Sequence, residues 1–223
     1  MRVANRAVDA ADDGRLAVSI WARTPLTLAA ATVFAGFAIY GYLGLYPTYL
    51  REALGFTPKE AGFAVSFYGL GALLSLLGGW LGDRYNYHRL LFFSLALSAG
   101  AGAILFGGLG HSLPLHVLFS FAFGATISGM GYANLSAGII KSVRRERAAA
   151  ASGLFVASLY IPAAFAGYTL GLLTERFGWS AAGTIQIAGC ALLASVLSLA
   201  AGAGKLALGT AGDLAQSIGP RGR

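Results

Sequence analysis

The segment Gly79-Trp80-Leu81-Gly82-Asp83-Arg84-Tyr85-Asn86-Tyr87-His88-Arg89 sets a carboxylate beside a guanidinium, with Arg89 close behind. Adjacent opposite charges at an exposed loop form ion pairs worth only about 0–1 kcal/mol, so a larger role needs partial burial or docking at an interface. A second set is neutral: Tyr40, Tyr42, Tyr68, Tyr132, Asn134, Tyr160 and Gln186, each inside a long uncharged stretch. Hydroxyls and carboxamides in such surroundings need partners, which a neighbouring helix or a polar cavity supplies. The histidines are less promising. No Cys, Asp or Glu accompanies His111 and His116 at ligand spacing, so no metal site is expected there. The single cysteine, Cys190, allows neither an intrachain disulfide nor CxxC chemistry. Gly69-Leu70-Gly71 and Gly100-Ala101-Gly102 look like broken dinucleotide fingerprints, but both fall inside apolar stretches rather than after a strand. They read as packing glycines. With no nucleophile and base at a shared position, neither an enzyme nor a cofactor is expected.

The elements that position these residues follow from composition. Of 223 residues, 57% are hydrophobic and only 11% charged, with 32 glycines. Uncharged stretches run Thr24 to Leu50, Ala61 to Gly82, Leu90 to Ile140, Ala148 to Thr174 and Phe177 to Gly204. A bilayer-spanning helix takes about 20 apolar residues, so four of these are single spans. The third, from Leu90, is twice too long for one, and Gly110-His111-Ser112-Leu113-Pro114 is its turn-like break. The sequence therefore predicts an all-α membrane protein with six transmembrane helices. A soluble enzyme, a secreted disulfide scaffold and a nucleic-acid-binding domain are excluded.

The net charge of +7 is a topology signal. With spans numbered 1 to 6, thirteen Lys and Arg fall in the N-terminal segment, the 2–3 loop, the 4–5 loop and the C-terminal tail. Only Arg51, Lys59 and Arg176 fall on the other side. The positive-inside rule then makes both termini cytoplasmic, in the cell (inner) membrane. The domain plan is a cytoplasmic segment over 1–24, a six-helix transmembrane domain over 25–203 and a cytoplasmic tail over 204–223. The first 23 residues lack a signal-peptide layout, and Arg15 to Arg23 can lie along the membrane surface. The basic run from Lys141 to Arg147 serves topology or, alternatively, binds anionic lipid.

Expected spans are Pro25 to Tyr46, Pro58 to Leu81, Arg89 to Leu109, Leu113 to Ile140, Ala148 to Leu173 and Trp179 to Ala203. Pro47 is expected to end the first. Thr57 is placed to cap the second, with Pro58 at its first position and Glu60 in its first turn. Gly71, Ser75 and Gly79 share one helix face, as do Ala163, Gly167 and Gly171. Such stripes permit close helix contact, within the chain or against another subunit. Tyr40 and Tyr42 point to nearly opposite sides of span 1, so one of them at most faces a cavity squarely. Tyr132, Asn134 and Tyr160 are the other candidates for cavity lining, with interhelical bonding as the alternative. Tyr46 and Tyr49 suit an interfacial belt. Pro162 removes a hydrogen bond to the carbonyl of Ser158 and marks either a hinge or a static bend.

The 2–3 loop resembles the signature of the major facilitator superfamily, G-x-L-x-D-R-x-G-R-[RK]. Gly79, Leu81, Asp83 and Arg84 match, Asn86 stands at the turn glycine as a residue tolerant of left-handed backbone, and Arg89 arrives one position late. Arg147, Ala151-Ser152-Gly153 and Phe177-Gly178-Trp179 are similar to the borders of the fifth helix of a half. The resemblance implies one six-helix half of a twelve-span transporter, more like the C-terminal half. It implies gating by Gly79, Asp83, Arg84, Asn86 and Arg89, and a solute cavity walled by helices 1, 2, 4 and 5. The expected function is transport of a small organic solute by alternating access. The expected partners are the lipid bilayer, that solute, and a second copy or a complementary half, with no nucleic acid. The alternative is a non-transporting, truncated or repurposed half that binds or stabilises a partner.

Overall fold

The computed structural model describes residues 16–202. Residues 1–15 and 203–223, with the charges expected at Arg2, Arg6, Arg15, Lys205, Arg221 and Arg223, lie outside the described residues. The first span is α1 (Arg23–Glu52). The second is α2 (Pro58–Ala72) followed by α3 (Ser75–Arg84), and the third is α4 (Tyr87–Gly107). The fourth is built from α5 (Leu113–Phe123), a π-helical segment (Gly124–Tyr132) and α6 (Ala133–Lys141). A short 3-10 turn at Arg145–Arg147 leads into α7 (Ala148–Gly183) and a second π-helical segment, Thr184–Ala188. Helix then continues over 189–202.

Helical structure from Arg145 to Gly202 covers 58 residues, which at 1.5 Å each is about 87 Å, nearly three times a bilayer core. It is two spans. The chain reverses at Gly178, whose φ of 77° and ψ of 167° are not helical. Thr169 Oγ1 donates to Gln186 Oε1 at 2.9 Å and Gln186 Nε2 donates to the Ala166 carbonyl at 2.8 Å, so the two arms lie side by side. Gly178 is one of four residues with positive φ among the described residues, all of them glycine, where a Cβ would be strained. The protein is thus an all-helical, multi-pass integral membrane protein.

Side-chain caps set the starts of α2 and α4. Thr57 caps α2 through a full capping box: its hydroxyl accepts from Glu60 N–H, and Glu60 Oε2 accepts from Thr57 N–H at 2.9 Å. The first span corrects the expectation at Pro47. The helix passes through it to Glu52, burying Tyr46 and Tyr49 rather than leaving them at an interface. Burial and interhelical bonding outweigh the single hydrogen bond that proline removes.

The core centres on α1, whose Leu28, Ala31, Ala38, Tyr42 and Tyr46 have no exposed surface. No Asp, Glu, Lys or Arg side chain is buried among the described residues. Small residues allow close crossings, but not all those expected. A Cβ at Gly71 would meet the Phe121 carbonyl and Ala125 N, one at Gly78 would meet the Gly129 carbonyl, and one at Gly82 would meet the Asn134 carboxamide. Gly79, Gly167 and Gly171 have no such neighbour within 4 Å. The packed face of the second span therefore runs through Gly71, Gly78 and Gly82, and Gly167 and Gly171 of the fifth span meet no close neighbour among the described residues.

Contacts at the two ends confirm the alternation of six spans. At one end Ala17 N–H donates to the Ser142 carbonyl at 3.0 Å and Arg144 N–H to the Ala17 carbonyl at 3.1 Å, tying the segment before α1 to the 4–5 loop. This, rather than a position along a membrane surface alone, fixes Ala17. The same end holds Asp83 and Lys141, and His88 Nδ1 lies 3.1 Å from the Ser198 carbonyl. The opposite end gathers Tyr49 with Trp179 and Phe56 with His111.

Candidate functional site: a tyrosine-walled cavity and a charged loop

A cavity of about 610 Å³ opens where the first, second, fourth and fifth spans meet. Ile39, Tyr40 and Leu43 come from α1; Tyr68, Ala72, Ser75 and Leu76 come from the second span. The fourth contributes Ser128, Tyr132, Ala133 and Ser136, and the fifth Leu159 and Tyr160. Among the described residues, tyrosine is the only ionisable type that lines it.

Tyrosine rings are the large polar groups here. Tyr160 is 53% exposed and Tyr132 38%, and the Tyr40 and Tyr160 rings lie 5.8 Å apart, tilted by 44°. Tyr132 is held edge-on against Phe155 at 5.1 Å. Tyr68 is buried, its hydroxyl 2.5 Å from Ser128 Oγ. The π-helical segment carries Ser128 and Tyr132, and its wider turns advance these residues relative to an α-helix.

Of the five residues expected at a cavity, Tyr40, Tyr132 and Tyr160 line this one and Tyr42 and Asn134 do not. Tyr42 faces the helix interior, where its hydroxyl donates to Ser120 Oγ at 2.8 Å and its ring stacks on Tyr46 and Tyr68. Asn134 is buried and Nδ2 donates to the Gly78 carbonyl at 2.9 Å and the Met130 carbonyl at 2.8 Å. Its carboxamide locks the fourth span to the second. Ser75 is expected from sequence only in a packing stripe, and Ser128 and Ser136 carry no sequence expectation, yet all three line the cavity. Ser128, Tyr132 and Ser136 recur every four residues, a signal that places them on one helix side.

His116 is another buried polar group with a structural assignment. Nδ1 lies 2.7 Å from Tyr46 Oη and Nε2 lies 3.0 Å from the Gly110 carbonyl. A carbonyl only accepts, so Nε2–H donates there, and Nδ1 of the neutral ring accepts from tyrosine. Both ring nitrogens serve to join the first span, the fourth span and the 3–4 turn.

The charged loop lies at the end of α3. Asp83 Oδ1 pairs with Lys141 Nζ at 2.6 Å, both side chains well exposed. From sequence, Lys141 is expected as a topology charge or part of an anionic-lipid site, not as a partner of Asp83. Its place at the end of the fourth span, the span locked to α3 by Asn134, brings it to Asp83. Arg84 stacks over Trp80, 5.4 Å from the ring centroid, and Arg89 is exposed. Asn86 corrects the expectation of a left-handed turn. Its φ is −65°, and Oδ1 accepts from His88 N–H at 3.1 Å and Arg89 N–H at 3.4 Å. Asparagine here starts α4 as an N-cap, which explains its presence without glycine's backbone freedom. Pro162 sits inside α7 and its ring packs over Gly36, where an added Cβ would lie 2.8 Å from Pro162 Cγ.

Six spans, an uncharged cavity at their crossing and a charged loop between spans 2 and 3 define a multi-pass helical membrane protein. The chain belongs to the Major Facilitator Superfamily, whose pattern matches residues 28–218. It is similar to the glycerol-3-phosphate transporter of Bacillus subtilis (strain 168), with 30% identity over 81% of this chain and 41% of that protein. It is also similar to the probable hexose phosphate transport protein of Chlamydia trachomatis, with 29% identity over 68% of this chain and 34% of that protein. Dipeptide and tripeptide permease A of Cronobacter turicensis is 28% identical over 69% of this chain and 31% of the permease. The chain thus spans between about a third and two-fifths of the length of these relatives.

Proposed function

We propose that this chain is one six-helix half of a solute transporter working by alternating access, and that it acts together with a second half. The observation that carries this reading is the open-sided cavity of about 610 Å³, walled by the first, second, fourth and fifth spans and lined by half-exposed tyrosines. Polar groups facing lipid alone are costly, by several kcal/mol for each unsatisfied group. A second wall relieves that cost and encloses a solute. The partner is a second copy or a complementary half. Parallel halves related by an axis along the membrane normal enter with the same orientation, so a second copy can complete the arrangement without inversion. The degraded loop signature favours the C-terminal half as this chain's counterpart.

Both termini are cytoplasmic in this reading, in the cell membrane, with 25–203 as the transmembrane domain. Asp83, Arg84 and Arg89, shaped by Gly79 and Asn86, form the cytoplasmic gate. The Asp83–Lys141 pair supports it, because an exposed pair opens at small cost and frees Asp83 for another partner. Pro162 is the hinge candidate in the fifth span.

Reconstitution into proteoliposomes with a solute panel, alongside crosslinking and mass measurement in mild detergent, tests the reading. Uptake by a paired species and none by the monomer is expected. A well-behaved monomer that moves solute overturns the requirement for a second half. A paired species that moves none of the panel favours the non-transporting alternative.

A further inference from the structure

We infer that the cavity wall supplied by this chain recognises an organic cation, an ammonium carrying apolar substituents, through the faces of Tyr40, Tyr132 and Tyr160. The inference rests on the proposed role of this cavity as the solute site. Three rings from three different spans border one space, two of them more than a third exposed. The face of an aromatic ring carries negative electrostatic character. A desolvated cation over it is held several times more strongly than one at an exposed site. Once a second half encloses it, a cavity within the membrane-spanning segment becomes the desolvated case.

The rest of the lining favours a cation over the other common solute chemistries on this wall. An anionic group meets no Lys, Arg or His among the described residues, since none of them lines the cavity. A polyol needs groups that grip neighbouring hydroxyls in pairs, which carboxamides and carboxylates do. The two buried carboxamides are already committed. Both hydrogens of Asn134 Nδ2 are donated to main-chain carbonyls, and Gln186 is bonded to Ala166 and Thr169. Of the remaining hydroxyls, Tyr68 and Ser128 bond each other. What is left is ring faces, single hydroxyls and the apolar surface of Ile39, Leu43 and Leu159. That combination suits the methyl and methylene groups around a quaternary nitrogen.

Equilibrium dialysis of the full chain in detergent, with radiolabelled choline as the probe, tests this. Competition by 3,3-dimethylbutan-1-ol, which replaces the ammonium by a neutral carbon, isolates the charge. Saturable choline binding is expected, with the neutral isostere weaker by about tenfold or more and glycerol 3-phosphate not competing. Tyr40→Phe and Tyr160→Phe keep the ring face and retain binding, whereas Tyr40→Leu and Tyr160→Leu weaken it by about tenfold. Unchanged thermal melting of each variant shows that the fold is intact. Equal competition by the neutral isostere, displacement by glycerol 3-phosphate, or no saturable choline binding by a chain that melts normally overturns the inference. Choline binding without uptake by any reconstituted pair would instead sink the transport reading and leave this one standing.

Discussion

Asn134 and Gly82 occupy one contact between the fourth and second spans, so close that a Cβ on Gly82 would overlap the Asn134 carboxamide. The same carboxamide holds the Gly78 carbonyl at 2.9 Å. The absence of a side chain at 82 is what lets the hydrogen bond form.

Gly82→Ala therefore lowers stability by about 1–3 kcal/mol, the usual range for overpacking a tight contact. Gly79→Ala, three residues away with open space around it, leaves stability unchanged or slightly raised, because alanine favours helix over glycine by about 1 kcal/mol. Thermal melting in detergent of both variants checks the contrast. Equal losses would mean that the second span is rotated from the position described.

Asp83→Asn and Lys141→Ala each change stability by at most about 1 kcal/mol, since the pair is exposed. With the proposed gate, both lower the rate of solute uptake, and the exchange Asp83→Lys with Lys141→Asp recovers part of it. Uptake equal to the parent chain in all variants would leave the loop with a topological role only.

Gly36→Ala destabilises, because its Cβ would lie 2.8 Å from both Pro162 Cγ and the Leu159 carbonyl oxygen. Adding Pro162→Ala removes the first clash and not the second, so recovery is partial. Pro162→Ala alone separates hinge from static bend. A hinge predicts slower uptake at unchanged melting temperature, and a static bend predicts unaltered uptake.

Cysteine accessibility gives the topology directly. In a Cys190→Ser background, His111→Cys and Glu146→Cys, both at exposed turn positions, are expected to label from opposite sides, with Glu146 cytoplasmic. Labelling of the two from the same side would be incompatible with six alternating spans.

The sequence by itself determined the number of spans, their alternation and the membrane class. A bilayer imposes apolar composition over about 20 residues at a time, a signal too long to be overridden by any one contact. It also determined chain-local features whose partners lie within a few residues, such as the Thr57 capping box and the break at Gly178. Only the tertiary structure decided which side chains face the cavity. Tyr40 and Tyr42 are two positions apart, as are Tyr132 and Asn134, yet in each pair one lines the cavity and the other is spent on interhelical bonds. Composition could not separate them, because a helix apolar all round shows no polar face from which to read its rotation. The π-helical segment of the fourth span shifts that rotation further, and Gly78 and Gly82 rather than Gly79 take the close contacts. In lipid, helix rotation is set by how neighbouring surfaces pack and which hydrogen bonds they complete, and those depend on all six spans at once.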